Sequence, residues 1–524
     1  MVVTGRLRPA PTWALPAPRR TARAPLAIAG ALALAVAVAG LRTHALAAPL
    51  WMDEGISIGI ASHPLGAIPS LLRQDGSPPL YYLTLHLWMA LFGSTPTAVH
   101  LLSMVFLCFA VPAAVWAAWA PFGPAAGVLA GALVALDPFI VYYADDARMY
   151  TLVLLLAILA TGSFVRAFVL RRRAHAGVFA VLLAALLYSH NWALFYAAAA
   201  AAAYLGLLAV AADRRALLRD GLIGFGGAAL LFVPWLPNLA FQAAHTGAPW
   251  SSVPAGSALP RVVADIWSGS LPATVVLLAA AVGALQLLRR GERAHRQAML
   301  AILGIAAVTL LVAFAWSHAS SPAWAERYLI VVAAPLVVLA GAGLGRSGLL
   351  GVAAVVVAVA VSWHGRPSHD ALAHKSNVAQ VAQALGAQLP TGSVVVTTQP
   401  EQVPALRYYL GERLRYVTPL GVVRDPQVMD WRDALARLRA ARFGAVMRPV
   451  LRGLRAGARL LFVEPRFAAG RTAWSRRIMA DTTTWRHALR RRLRLVAMVA
   501  PARSSSQSTV AGLLFSVPRA AQRD

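Results

Sequence analysis

The sequence predicts a polytopic α-helical membrane protein with a smaller α/β domain at its C-terminal end. Three observations carry this. Of 524 residues, 59% are hydrophobic and 13% charged, with a mean hydropathy of +0.63, far too apolar for a soluble chain of this size. About eleven apolar runs near bilayer-crossing length occupy residues 25–363. After His364 the composition becomes mixed, and strand-like and helix-like segments alternate.

The elements follow in order. Residues 1–24 are Arg- and Pro-rich and read as a disordered cytoplasmic tail. The first apolar run, 25–41, has Arg19-Arg20 before it and Ala45-Leu46-Ala47 after it, the arrangement of a signal peptide. Many more apolar runs follow, so an uncleaved span is the simpler reading. The others lie near 97–120, 124–143, 149–170, 176–189, 191–211, 216–237, 271–288, 297–316, 328–344 and 347–363. Arg171-Arg172-Arg173, Arg214-Arg215 with Arg219, Arg289-Arg290 with Arg293 and Arg296, and Arg346 fall in alternate loops. The intervening loops hold only Arg42, Arg73, Arg148, Arg261 and Arg327. By the positive-inside rule the N-terminus is cytoplasmic, and 42–96, 144–148, 190, 238–270, 317–327 and everything after 363 lie outside. The expected organisation is a transmembrane domain over 25–363, with an outer loop at 42–96, and an extracytoplasmic domain over 364–524.

The net charge is +28, nearly all from arginine, with Lys375 the only lysine. Basic residues scattered among apolar runs do not make a nucleic-acid surface. Residues 364–524 hold 26 basic and 9 acidic residues. Such a domain suits anionic headgroups or a phosphate-bearing envelope polymer, or is simply the solvated surface of an Arg-biased protein. Within it, 393–398 and 459–463 read as buried strands, and 376–388, 400–411 and 430–442 as helices. The single Cys108 allows no internal disulfide.

Most acids of the membrane domain gather on the outer face: Asp53, Glu54, Asp75, Asp137, Asp145, Asp146, Asp265 and Glu326. A carboxylate near a membrane is costly unless solvated, paired or functional. Asp53-Glu54 follows the first span and is expected to face water. Behind it, 55–73 is loosely amphipathic and 79–92 is rich in Tyr81, Tyr82, Trp88 and Phe92, so both are expected to lie along the interface. The turn Asp145-Asp146-Ala147-Arg148 either pairs internally or binds a sugar, a metal or a phosphate. His190 sits between two spans, and Glu326-Arg327-Tyr328 heads another. There is no Gly-rich phosphate loop, Cys-x-x-Cys, His-Glu-x-x-His or Gly-x-Ser-x-Gly. Nucleotide-driven transport, zinc peptidase chemistry and serine hydrolysis lose support.

Trp51-Met52-Asp53-Glu54, Asp75-Gly76-Ser77-Pro78-Pro79-Leu80-Tyr81-Tyr82, Phe92-Gly93, Asp145-Asp146-Ala147-Arg148-Met149-Tyr150 and Glu326-Arg327-Tyr328 occur in that order. Together they resemble the GT-C glycosyltransferases, nearest the dolichyl-phosphate-mannose protein mannosyltransferases and the lipid A aminoarabinose transferases. The resemblance spans about 25–345. Where that family commonly has Gln-Glu-Ala-Arg, Asp146 takes the acid position; where His-Pro-Pro is common, this chain has Ser77-Pro78-Pro79.

The resemblance implies transfer of a sugar, mannose-like first, from a polyprenyl-phosphate donor to a lipid, glycan or protein hydroxyl on the outer face. Asp53 would be the base and Glu54 its companion. Asp145, Asp146, Arg148, His190, Arg327, Tyr328 and Tyr82 would bind substrate, with Arg327 on the leaving phosphate. A divalent cation is the one cofactor left open, with Asp53 and Asp146 as its ligands. The competing expectation is a transporter or flippase of a lipid-linked envelope substrate.

Overall fold

The computed structural model describes residues 23–42, 45–364, 374–467, 470, 472–501, 504–505 and 507–518. Of the tail expected over 1–24, residues 1–22 lie outside them. Each apolar run of the sequence is helical. Among the described residues, six helices are long and apolar enough to cross a membrane: Pro96–Phe122, Tyr150–Val169, Arg214–His245, Ser270–Arg290, Arg293–Ala319 and Glu326–Arg346. Pro124–Leu136 and Pro138–Asp145 form a seventh, bent by 49°. The bend falls where Pro138 lacks an N–H and the Asp137 carboxylate caps Phe139 and Ile140 at 3.0 and 3.2 Å. Four shorter apolar helices account for the remaining runs: Ala27–Gly40, Ala174–Leu187, Ala193–Ala209 and Leu349–His364.

Small residues let these helices approach. A Cβ at Gly127 or Gly131 would lie 2.9 Å or less from Val115, and one at Gly341 or Gly345 would strike the backbone around Ala126. This is the small-residue packing that helices use where lipid supplies no hydrophobic drive.

The first helix, α1 (Arg23–Arg42), leads into three short helices: α2 (Met52–Ala61), α3 (Ile68–Asp75) and α4 (Leu80–Phe92). They then meet α5 (Pro96–Phe122), started by Pro96 and by Thr95, whose hydroxyl accepts from the Ala98 N–H at 3.3 Å. Among the loops assigned to the opposite end of the bundle, Asp220 pairs with Arg171 at 3.3 Å and Arg173 at 3.6 Å.

The C-terminal region is a three-layer α/β/α domain. Its strands are β1 (Val394–Thr397), β2 (Arg415–Thr418), β3 (Gly421–Val422), β4 (Arg459–Pro465), β5 (Arg494–Val499) and β6 (Val510–Ser516), in the order β3-β2-β1-β4-β6-β5. β1 runs parallel to β2 and β4; β3, β6 and β5 pair antiparallel. Val394, Val396, Leu460, Phe462, Leu513 and Phe515 face the helices Phe443–Arg452 and Ala473–Arg490. Val395, Leu461, Val463 and Leu514 face Val378–Leu385 and Val403–Leu410. Both faces are covered, so the central strands are continuously apolar rather than alternating.

This domain sits directly on α2. The Tyr409 hydroxyl accepts from the Leu50 N–H at 2.7 Å, His63 meets Asp425 at 3.0 Å, and the Trp431 N–H donates to the Gln74 carbonyl at 3.0 Å.

Candidate active site

The loops that the arginine pattern assigns to one face meet at one end of the bundle, beneath the C-terminal domain. They enclose a cavity of about 1010 Å³ lined by Asp53, Asp75, Arg148, His190, Arg327, Tyr328 and, from the C-terminal domain, Glu401, Trp431 and Gln507. Leu194, Phe195, Val312 and Trp316, side chains of two apolar helices, line it as well. A second cavity of about 720 Å³ shares Trp51, Arg327 and Gln507 with the first and adds Asp146, Tyr142, Tyr143, Arg261, Asp265 and Glu326.

Asp53 stands in the first turn of α2, where the N-terminal dipole favours an anion. Its carboxylate lies 3.8 Å from the Arg327 guanidinium, and both side chains are partly exposed to the cavity. Arg148 approaches from the other side. One of its nitrogens donates to Ser57 Oγ at 3.0 Å and to the Asp53 carbonyl at 3.3 Å, and lies 3.5 Å from the Tyr82 hydroxyl. Arg327 also lies over the Trp250 ring at 4.5 Å. The Nε donors of both arginines are buried without a protein partner. Buried donors left unmatched are costly, and both arginines line the cavity.

His190 packs edge-on against Tyr328 and accepts the Trp192 N–H on Nδ1 at 3.1 Å, which leaves the ring proton on Nε2. Burial, reinforced by Arg148 and Arg327, pushes its pKa down to about 3, so it is a neutral donor rather than a cation. Burial raises the Asp75 carboxyl, against hydrogen bonds from Ser77 and Tyr82.

Glu54 departs from the expectation of a water-facing pair. Successive helical residues diverge, and while Asp53 looks into the cavity, Glu54 is fully buried and lines neither cavity. Its carboxylate accepts from His100 at 2.6 Å, Lys375 at 2.7 Å, the Ala147 N–H at 3.0 Å and the Trp51 N–H at 3.1 Å. Burial alone would raise its pKa; Lys375 and His100 outweigh that and hold it well below the usual carboxylate range. Asp145 is likewise buried and lines neither cavity. Asp146 faces the second cavity and accepts from Trp51 Nε1 at 2.9 Å. Burial, then the neighbouring Glu54 charge, raise its pKa to about 7.

Asp53 and Asp146 thus line different cavities, and no cluster of three or more metal-ligating side chains occurs among the described residues. This arrangement does not fit the cation site expected from the sequence.

Sequence reasoning missed two residues, both from the C-terminal domain. Lys375 is buried against Glu54. Glu401 lines the large cavity and is only 5% exposed. Its Oε1 accepts from Trp474 at 3.0 Å and Gln399 at 3.1 Å, while Oε2 has no protein partner. The signal for Lys375 lay in composition, as the chain's only lysine; nothing in the sequence sets Glu401 apart from the other acids of its domain.

No protein-family model matches the sequence, and no curated protein is significantly similar to it. Solved structures do resemble it. ArnT from Cupriavidus metallidurans, bound to undecaprenyl phosphate, superposes with a TM-score of 0.59 at 14% identity, over 94% of this chain and 98% of that one. Its apo state gives 0.60 at 13% identity, over 93% and 98%. The arabinofuranosyltransferase AftD from Mycobacteria gives 0.54 at 15% identity, over 94% of this chain and 41% of that one. The likeness to ArnT extends through bundle and C-terminal domain alike: this chain shares its fold.

Proposed function

We propose that this protein is a membrane glycosyltransferase that moves a sugar from a polyprenyl-phosphate donor to an acceptor hydroxyl on the extracytoplasmic face. The observation that carries the reading is the pair of arginines beside Asp53, which line one cavity together with apolar side chains of two helices. The polyprenyl chain lies along Leu194, Phe195, Val312 and Trp316, and its phosphate sits between Arg148 and Arg327. ArnT, of like fold, is a structure with undecaprenyl phosphate bound.

Asp53 removes the proton from the acceptor hydroxyl as that oxygen attacks the anomeric carbon. The bond between that carbon and the phosphate oxygen breaks, and the electron pair leaves with the polyprenyl phosphate. One displacement inverts the anomeric centre. The phosphate gains charge as it departs, and preorganised guanidinium donors in a site partly closed to water stabilise it at little reorganisation cost. His190, neutral and donating through Nε2, is suited to a sugar or phosphate oxygen. Glu401 and Gln507 form the wall opposite the bundle and contact the acceptor. Asp146 and Tyr142 line the second cavity, which shares Arg327 and Gln507 with the first.

The test is a screen of purified protein against undecaprenyl-phosphate sugars, a mannose-like hexose first and pentoses next, scored by release of undecaprenyl phosphate. Release that requires an acceptor supports the reading. Absence of release from every donor, with the lipid crossing the bilayer instead, overturns it in favour of a transporter.

A further inference from the structure

We propose that Lys375 is a positioning residue for the transfer step: the C-terminal domain inserts its ammonium behind α2 and, through Glu54, fixes Asp53 and Arg148 relative to one another. This rests on the reading of Asp53 as the base.

The geometry is that of a four-way tie. Glu54 receives hydrogen bonds from its own helix start at Trp51, from His100 on α5, from Ala147 in the second outer loop and from Lys375. Lys375 adds a bond to the Asp145 carbonyl and lies 3.3 Å from His100 Nε2. The tie therefore grips the residue after Asp53 and the residue before Arg148, and both gripped segments end in the cavity. Of its members only Trp51 lines that cavity; Glu54, His100, Ala147 and Lys375 do not.

Lys375 itself is anchored in the C-terminal fold. Its carbonyl accepts from the N–H groups of Gln507 at 3.1 Å and Ser508 at 2.9 Å. Asn377 next exchanges side-chain bonds with the Val510 backbone at 2.7 and 2.8 Å, at the start of β6. The lysine is 2% exposed and is the only one in the chain. Docking of the C-terminal domain and alignment of the catalytic base are thus one event. A buried carboxylate that loses its ammonium is left uncompensated and forces local rearrangement. A displacement of about 1 Å at a reacting group costs on the order of 10²-fold in rate.

The test compares Lys375→Met, Glu54→Gln and the double variant with wild type, in the full-length protein. Lys375→Met is expected to lower kcat on the order of 10²-fold with donor KM little changed, and to speed amide exchange at 51–57 and 145–148 while β1 and β4 keep their protection. If Lys375 acts through Glu54, the double variant is no slower than Glu54→Gln alone. The double variant removes both charges, so it supplies the comparison even where Lys375→Met fails to fold. Unchanged kcat in Lys375→Met, a matching rise in donor KM, or a double variant whose losses multiply would each overturn the proposal. A wild type that releases no polyprenyl phosphate overturns the reading of Asp53 instead, and the exchange measurement still scores the tie.

Discussion

At the scale of single residues, the acidic pair Asp53-Glu54 divides into two roles that no local sequence rule separates. Asp53 carries an open carboxylate beside Arg327, and Glu54 carries one already filled. Asp53→Asn keeps shape and hydrogen bonding but cannot take a proton. It should lower transfer by ~10²–10⁴-fold with melting temperature and binding of undecaprenyl phosphate nearly unchanged. Retention of most activity would remove Asp53 as the base. Arg327→Ala should weaken both donor binding and turnover, and Arg327→Lys should recover only part, since a point charge does not replace a planar fork of donors. Wild-type kinetics in the alanine variant would leave Arg327 an interfacial anchor. Asp146 gives a stability test. Its pKa rises from 3.8 to about 7 on folding, through burial first and Glu54 second. The folded chain therefore binds this proton more tightly than the unfolded one, and the stability it confers is full below about pH 4 and lost as pH climbs to about 7. Asp146→Asn abolishes that dependence, so its melting temperature should gain on wild type between about pH 5 and pH 8. A gap that stays constant over that interval would show that the carboxyl does not titrate there. The sequence located these acids because charge stands out in an apolar chain. It did not reveal Glu54's burial, because its partners His100 and Lys375 lie 46 and 321 residues away.

At the scale of elements, apolar length and proline placement made the helices legible. The runs 55–73 and 79–92 were read as interfacial, and the chain forms α2, α3 and α4 there. In the C-terminal domain the buried strands β1 and β4 were legible as apolar runs, whereas β5 was not. Its Leu495, Val496 and Met498 are exposed, so it carries neither a buried run nor a clean alternation. What the sequence hid altogether was the contact between α2 and the C-terminal domain. Gly55 and Gly59 lie one helical turn apart on the face that meets it. A Cβ at Gly55 would come within 2.6 Å of the Ala405 backbone nitrogen, and one at Gly59 within 2.0 Å of the Gln427 carbonyl oxygen. Both obstacles are backbone, which cannot swing aside. Gly59→Ala should therefore destabilise by about 1–3 kcal/mol, the usual cost of overpacking, and lower activity together with the docking of the segment around Gln427. Thermal unfolding and limited proteolysis of the C-terminal domain check this. Unchanged values would mean that the two surfaces have slack which the close approach denies.

At the scale of the whole molecule, the arginine pattern and the site geometry converge. The positive-inside rule sorted the loops by charge alone, with no knowledge of which would touch. The structure brings 53, 148, 190, 327 and the C-terminal Glu401 to one cavity, while Arg171 and Arg173 gather on Asp220 among the loops of the other group. Two independent properties thus select the same end of the bundle, and the charge rule says which side that end faces. Nucleotide sugars are cytoplasmic, so a transferase working outside needs a lipid-borne donor, and the apolar mouth of the cavity suits one. The orientation is testable with thiol labelling, because Cys108 is the chain's only cysteine and can be replaced first. In that background Glu412→Cys, at a position whose side chain is 79% exposed on the C-terminal domain, should react with a membrane-impermeant reagent on intact cells. Arg173→Cys, in a loop beside the opposite cluster, should react only once the membrane is opened. The reverse pattern would place the cavity in the cytoplasm, where soluble nucleotide sugars are available, and would remove the physical reason for a polyprenyl carrier.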